Sequence, residues 1–133
     1  MHNPMFKRYS FTLLVTAVLS MAASAVGGGE QPHKFLAGLR DQQYHDVALE
    51  YLELARNNPS IDKEFKEVID YEAGVTLWEA AGFNRSLPGR EKQLGEAKER
   101  FDKFLSGHGD HPLAPAARRY LARVLVGRGR VKG

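Results

Sequence analysis

The sequence contains no cysteine. That absence excludes disulfide frameworks, thiol catalysis, thiolate zinc sites and a lipid-modified N-terminal cysteine, while leaving the redox character of the compartment open. Also missing is any segment in which apolar and polar residues alternate with period two, so no strand is expected. There is no Gly-rich phosphate loop, no G-x-S-x-G elbow and no H-E-x-x-H helix. The sequence therefore offers no enzyme class, and no cofactor is expected. What is present is 43% hydrophobic residues with 19 Lys and Arg against 16 Asp and Glu in 133 residues, a globular balance that allows one compact domain at most.

The longest apolar run lies at the start. Lys7 and Arg8 precede Phe11 to Leu19, FTLLVTAVL, which is followed by the small residues Ser20 to Ala25. A positive start, an apolar middle and a small-residue end are the three regions of a secretory signal peptide, and Ala23-Ser24-Ala25 meets the small-x-small rule for cleavage before Val26. The rival reading is an uncleaved anchor. The run from Phe11 to Val26 is short of the roughly 20 residues a membrane span needs and is interrupted by Thr12, Thr16, Ser20 and Ser24. The expected division is thus a cleavable leader over 1–25, a flexible mature start over 26–32, a helical domain over 33–130 and a basic tail over 131–133. The expected address is periplasmic or extracellular, with membrane contact only transient, through the leader.

Loss of Lys7 and Arg8 with the leader leaves 17 basic residues against 16 acidic ones. The remaining charge is segregated along the chain: residues 41–72 hold nine acids and three basic residues, whereas residues 111–133 hold Arg118, Arg119, Arg123, Arg128, Arg130 and Lys132 with no acid. Apolar positions recur at helical spacing throughout. Phe35, Leu36 and Leu39 follow Pro32; Tyr44, Ala48, Tyr51, Leu52 and Ala55 form a stripe that stops at Asn57-Asn58-Pro59. A long helix is expected from Ser60 or Asp62 through Phe65, Val68, Ile69, Ala73, Leu77 and Trp78 to Gly82, and another through Leu94, Ala97, Phe101, Phe104 and Leu105 to Gly107. A fifth starts near Pro112 to Pro115, carries Ala117, Tyr120, Leu121, Val124 and Leu125, and is expected to end at Gly127 and Gly129. The break at Asp41 to Gln43 is short enough to force an antiparallel helical hairpin.

The stretch Tyr44 to Pro59, YHDVALEYLELARNNP, resembles the second half of a tetratricopeptide repeat: Ala48, then Leu52, Ala55 and a closing Pro59 that arrives one residue early. A second copy reads as Ala97, Phe101 and Phe104 before Pro112, with Ala73-Gly74 and Leu77 upstream; here Phe104 replaces a small residue and the linker Asn84 to Lys92 is long. Leu121-Ala122 follows at the next close-packing position. The resemblance implies an all-α fold of about five helices, antiparallel hairpins stacked as a short right-handed solenoid. In such an array small residues let neighbouring helices approach, which assigns Ala48, Leu52, Ala55, Ala73, Gly74, Ala97, Phe101, Leu121 and Ala122 to packing. It also implies a non-enzymatic module that docks a peptide or partner protein of the cell envelope on one face, with Arg40, Glu72, Thr76, Glu79 and Arg123 as candidate contacts. The alternative is a half-array that self-associates through the C-terminal helix or completes a larger complex.

Two features invite other chemistry. His108-Gly109-Asp110-His111 supplies metal-ligand side chains, but the spacing matches no helical metal motif and a polar turn before Pro112 is the plainer reading. The tail from Gly127 to Gly133 is basic, yet an exported protein seldom meets nucleic acid, and cations at a helix end complement its dipole. Trp78 with Tyr51, Tyr71, Phe101, Phe104 and Tyr120 could line a groove, although aromatics at helical spacing are more often core. If the leader reading is correct, the chain recovered from a secretion-competent bacterium starts at Val26 by intact mass; a chain retaining Met1 to Ala25 contradicts it.

Overall fold

A computed structural model describes residues 30–133, and every regular element among them is a helix. The leader and its cleavage site lie outside the described residues. The helices are α1 (Glu30–Asp41), α2 (His45–Asn57), α3 (Lys63–Glu67), α4 (Ile69–Phe83), α5 (Leu87–Gly107) and α6 (Ala114–Lys132). Thus α1 begins ahead of His33, and α6 takes in Val131 and Lys132, which the sequence assigned to a tail. Gln43 adopts φ 61° and closes α1, and the Tyr44 N–H donates to the Leu39 carbonyl at 2.9 Å. That left-handed turn sends α2 back along α1.

Three boundaries differ from the periodicity. The helix expected from Asp62 to Gly82 breaks at Val68, whose φ of −100° and ψ of 4° leave its N–H on the Phe65 carbonyl. Phe65, Val68 and Ile69 are buried on both sides of the break. The long linker from Asn84 to Lys92 contracts to three residues, 84–86, because Asn84 Oδ1 accepts from the Ser86 N–H and Ser86 Oγ caps the Gly89 N–H. Pro88 sits in the first turn, where its missing N–H costs nothing. Finally, α6 runs through Gly127 and Gly129 despite a cost of about 1 kcal/mol per interior glycine. Val131 packs on the core, and Arg128 and Lys132 both reach Glu91 of α5, at 3.0 and 3.7 Å.

Helices pack in chain order, α1 on α2, α2 on α4, α4 on α5 and α5 on α6, with α4 also touching α6. Of the residues assigned to packing, the small Ala48, Ala55, Ala73, Gly74 and Ala97 and the large Leu52 and Phe101 are all buried. Leu121 is half-buried. Ala122 is exposed, contrary to its packing assignment; α6 turns Ala117 and Val124 inward, and two residues back from Val124 lies about 200° around the helix. Phe101 is the central contact. Its ring lies so close to Gly74 that a Cβ there would come within 2.8 Å of Cε1 and Cζ. It also stacks with Tyr120 of α6 at 5.5 Å and an interplanar angle of 7°, and Tyr71 meets it edge-on at 6.1 Å.

An ionic cluster ties α2, α4 and α5. Arg56 forks onto Asp70, with Nη2 to Oδ1 at 2.8 Å and Nη1 to Oδ2 at 3.3 Å, and Arg100 Nη1 donates to the same Oδ1 at 2.9 Å. Arg100 also holds Glu53 at 2.9 Å, and Lys103 approaches Asp70 at 3.7 Å. Burial pushes the Asp70 carboxyl up, but the hydrogen bonds of Arg56 and Arg100, with the charges of Arg56 and Lys103, outweigh it and hold the group below its ordinary range. Glu53 is lowered too, burial being outweighed by hydrogen bonds and charges from Arg56 and Arg100.

Two outcomes follow from these contacts. Gly74→Ala should lower unfolding stability by about 1–3 kcal/mol, because the buried Phe101 ring has no open side to retreat into. Urea titration reads the loss, which should shrink when Phe101→Leu is added. For Asp70 and Glu53, folded values below the unfolded ones mean that their stabilisation is complete above about pH 5 and drains as pH falls through the folded values. The urea midpoint should therefore drop from about pH 5 toward pH 2. Asp70→Asn should be less stable at pH 7 by about 1–3 kcal/mol and show a flatter acid limb; equal acid slopes in the two proteins would refute the assignment.

Candidate functional site

Four of the five sequence-predicted contact residues come together at the seam between α1 and α4. Arg40, in the last turn of α1, donates from Nε to Thr76 Oγ1 at 2.9 Å and from Nη2 to the Glu72 carbonyl at 2.6 Å and Glu72 Oε2 at 2.7 Å. Thr76 in turn donates to the Glu72 carbonyl at 2.8 Å. Arg40, Glu72 and Thr76 thus spend their polar groups on each other. Their side chains are largely buried, with Arg40 15% and Glu72 10% exposed, so the trio fastens α1 to α4 and has little left to offer a ligand. Glu79, 4.0 Å from Arg40 Nε, keeps more of its surface open. Arg123 stands apart, its guanidinium over the rings of Tyr120 at 5.6 Å and Trp78 at 6.0 Å.

Beside Glu79 the surface opens into a cleft of about 530 Å³ between the end of α4, the start of α5 and the end of α6. Trp78, Ala81, Leu94 and Val131 give it apolar walls, and Glu79, Arg90 and Arg130 supply charge. Each element reaches it for a local reason. Gly127 lets α6 approach α5, since a Cβ there would come within 3.3 Å of Leu94 Cδ1. Arg90 is drawn back onto the Asn84 carbonyl at 2.9 Å, and Asn84 Nδ2 donates to Gln93 Oε1 at 3.0 Å, which locks the α4–α5 turn. That rigid turn holds Phe83 and Leu87 out on the rim, 61% and 58% exposed. Arg130 on the same rim makes no ion pair among the described residues. On the far side of Phe83 lies a smaller cleft of about 360 Å³, lined by Tyr44, His45, Val47 and Ala80 among others. Phe83 is the ridge shared by both.

Compared with known proteins, the chain matches no family model, no curated protein and no solved structure. The reading of the site rests on its own geometry. Trp78 serves both roles weighed for it, packing edge-on against Tyr120 at 5.4 Å while lining the larger cleft. Phe83 and Leu87 escaped the sequence reading because the first sits at a helix end and the second in an apparent linker; a large apolar residue on each side of a three-residue turn was the available signal. His108 and His111 lie against Phe104, with ring centroids 5.4 and 5.5 Å away, and His111 Nδ1 accepts from the Leu113 N–H. Among the described residues no three His, Asp or Glu side chains are grouped to hold a metal ion. No described helix is long and apolar enough to cross a membrane.

Proposed function

We propose that this chain is an exported, non-enzymatic docking module of tetratricopeptide type, which holds a segment of a partner protein in the cell envelope. Sequential packing of hairpins with small residues at their contacts supports the repeat reading, and the leader-like start supports export. The observation that carries docking is the cleft rimmed by exposed Phe83 and Leu87. A rigid turn keeps two large apolar side chains in water, at a cost recovered only when a partner covers them. The cleft is large enough for one or two apolar side chains, and unpaired Arg130 favours a carboxylate nearby. The contact set therefore shifts from Arg40, Glu72 and Thr76 to Trp78, Phe83, Leu87 and Arg130, with Glu79 on the edge.

A photo-crosslinking residue placed at Leu87 should give one discrete adduct in cells exporting the chain, and the same residue at Glu99 should give none. Once mass spectrometry identifies the adduct, Phe83→Ser and Arg130→Glu should each weaken binding of that segment tenfold or more, about 1.4 kcal/mol, with unchanged melting. Tight binding that ignores both substitutions would sink the cleft as the docking site.

A further inference from the structure

We infer that copies of this chain associate head to tail, the outer face of α6 in one copy seating on the outer face of α2 in the next. The inference stands apart from the docking cleft and shares with it only Arg130, which borders both. The side of α6 away from the core exposes Ala122, Leu125 and Val126, beside a row of cations at Arg119, Arg123 and Arg130. Arg128 and Lys132 are neutralised by Glu91, whereas Arg119, Arg123 and Arg130 have no carboxylate partner among the described residues. The outer side of α2 has the opposite character. Asp46, Glu50 and Glu53 form an exposed acidic row, with Val47 and Leu54 alongside. Of these acids only Glu53 is paired, with Arg56 and Arg100.

The two faces match in spacing as well as sign. Asp46 and Glu50 are four residues apart, as are Arg119 and Arg123, so each pair spans about 6 Å along its helix. Val47, Leu54, Leu125 and Val126 are four of the seven large hydrophobic residues exposed among the described ones; the other three line the clefts, and of the four only Val47 also borders one, the smaller. A symmetric contact of α6 with α6 would set Arg119, Arg123 and Arg130 against their own copies, which like-charge repulsion opposes. Because α4 and α5 lie between α2 and α6, one chain can offer both faces at once. The contact is then heterologous and open-ended. One helix laid on another buries less than the roughly 1,200 Å² of a stable interface, so the association is weak and salt-sensitive.

Sedimentation velocity of the purified exported chain, up to about 1 mM, tests this. The weight-average sedimentation coefficient should rise with concentration at low salt and fall back at high salt. Asp46→Lys with Glu50→Lys should abolish the rise, Arg119→Glu with Arg123→Glu should abolish it too, and all four substitutions in one chain should restore it. Circular dichroism checks that each variant is folded, and recovery in the fourfold variant separates a lost contact from a lost fold. A monomer throughout, a closed dimer, or association indifferent to the reversals would overturn the inference. So would a monomer that binds vesicles of anionic phospholipid and loses that binding only in the Arg119 and Arg123 variant, an outcome that gives the α6 face to a membrane surface.

Discussion

Phe101 packs against the bare Cα of Gly74 and stacks on the ring of Tyr120, and the mutual placement of α4, α5 and α6 depends on those two contacts. Glycine at position 74 costs helix stability locally, yet it lets a full aromatic ring occupy the space where a side chain would stand. Once Phe101 is seated, the rest of α5 has little freedom. Leu94 comes to face Gly127, Arg100 reaches Asp70, and Glu91 collects Arg128 and Lys132. Each of these contacts joins residues 30 or more positions apart.

Polar interactions then decide how the first hairpin joins the rest. Asp70 gathers Arg56 from α2 and Arg100 from α5, while Arg40 crosses from α1 to Glu72 and Thr76 of α4. Both networks are charge-assisted, partly buried and geometrically specific, so they set register more than they add raw stability. They also divide the surface by purpose. Charges absorbed into these networks are unavailable to ligands, whereas Asp46 and Glu50 on α2 and Arg119, Arg123 and Arg130 on α6 remain without an oppositely charged partner among the described residues.

Arg40, Glu72, Thr76 and Glu79 illustrate how far the amino-acid pattern could be read. Residue type and helical position grouped them with Arg123 as contacts on one face; the fold draws these four to one seam and leaves Arg123 over Tyr120 and Trp78. Whether that region is an open groove or a closed seam depends on the distance between α1 and α4, which no local pattern encodes. Phe83 and Leu87 show the converse: neither belongs to an apolar stripe, so periodicity passes over them, and only the folded α4–α5 turn reveals them as a pair.

From the sequence alone came the helical class, the hairpin turn at Asp41 to Gln43, the small residues at helix contacts and the separation of acidic and basic halves. These follow from side-chain period, turn chemistry and composition, all short-range properties. The tertiary structure alone decided the break at Val68, the passage of α6 through two glycines, the exposure of Ala122 and the shape of the clefts. In α6 the contacts of Val131 with the core and of Arg128 and Lys132 with Glu91 outweigh a local preference worth about 1 kcal/mol per glycine, and such contacts exist only once the helices have met.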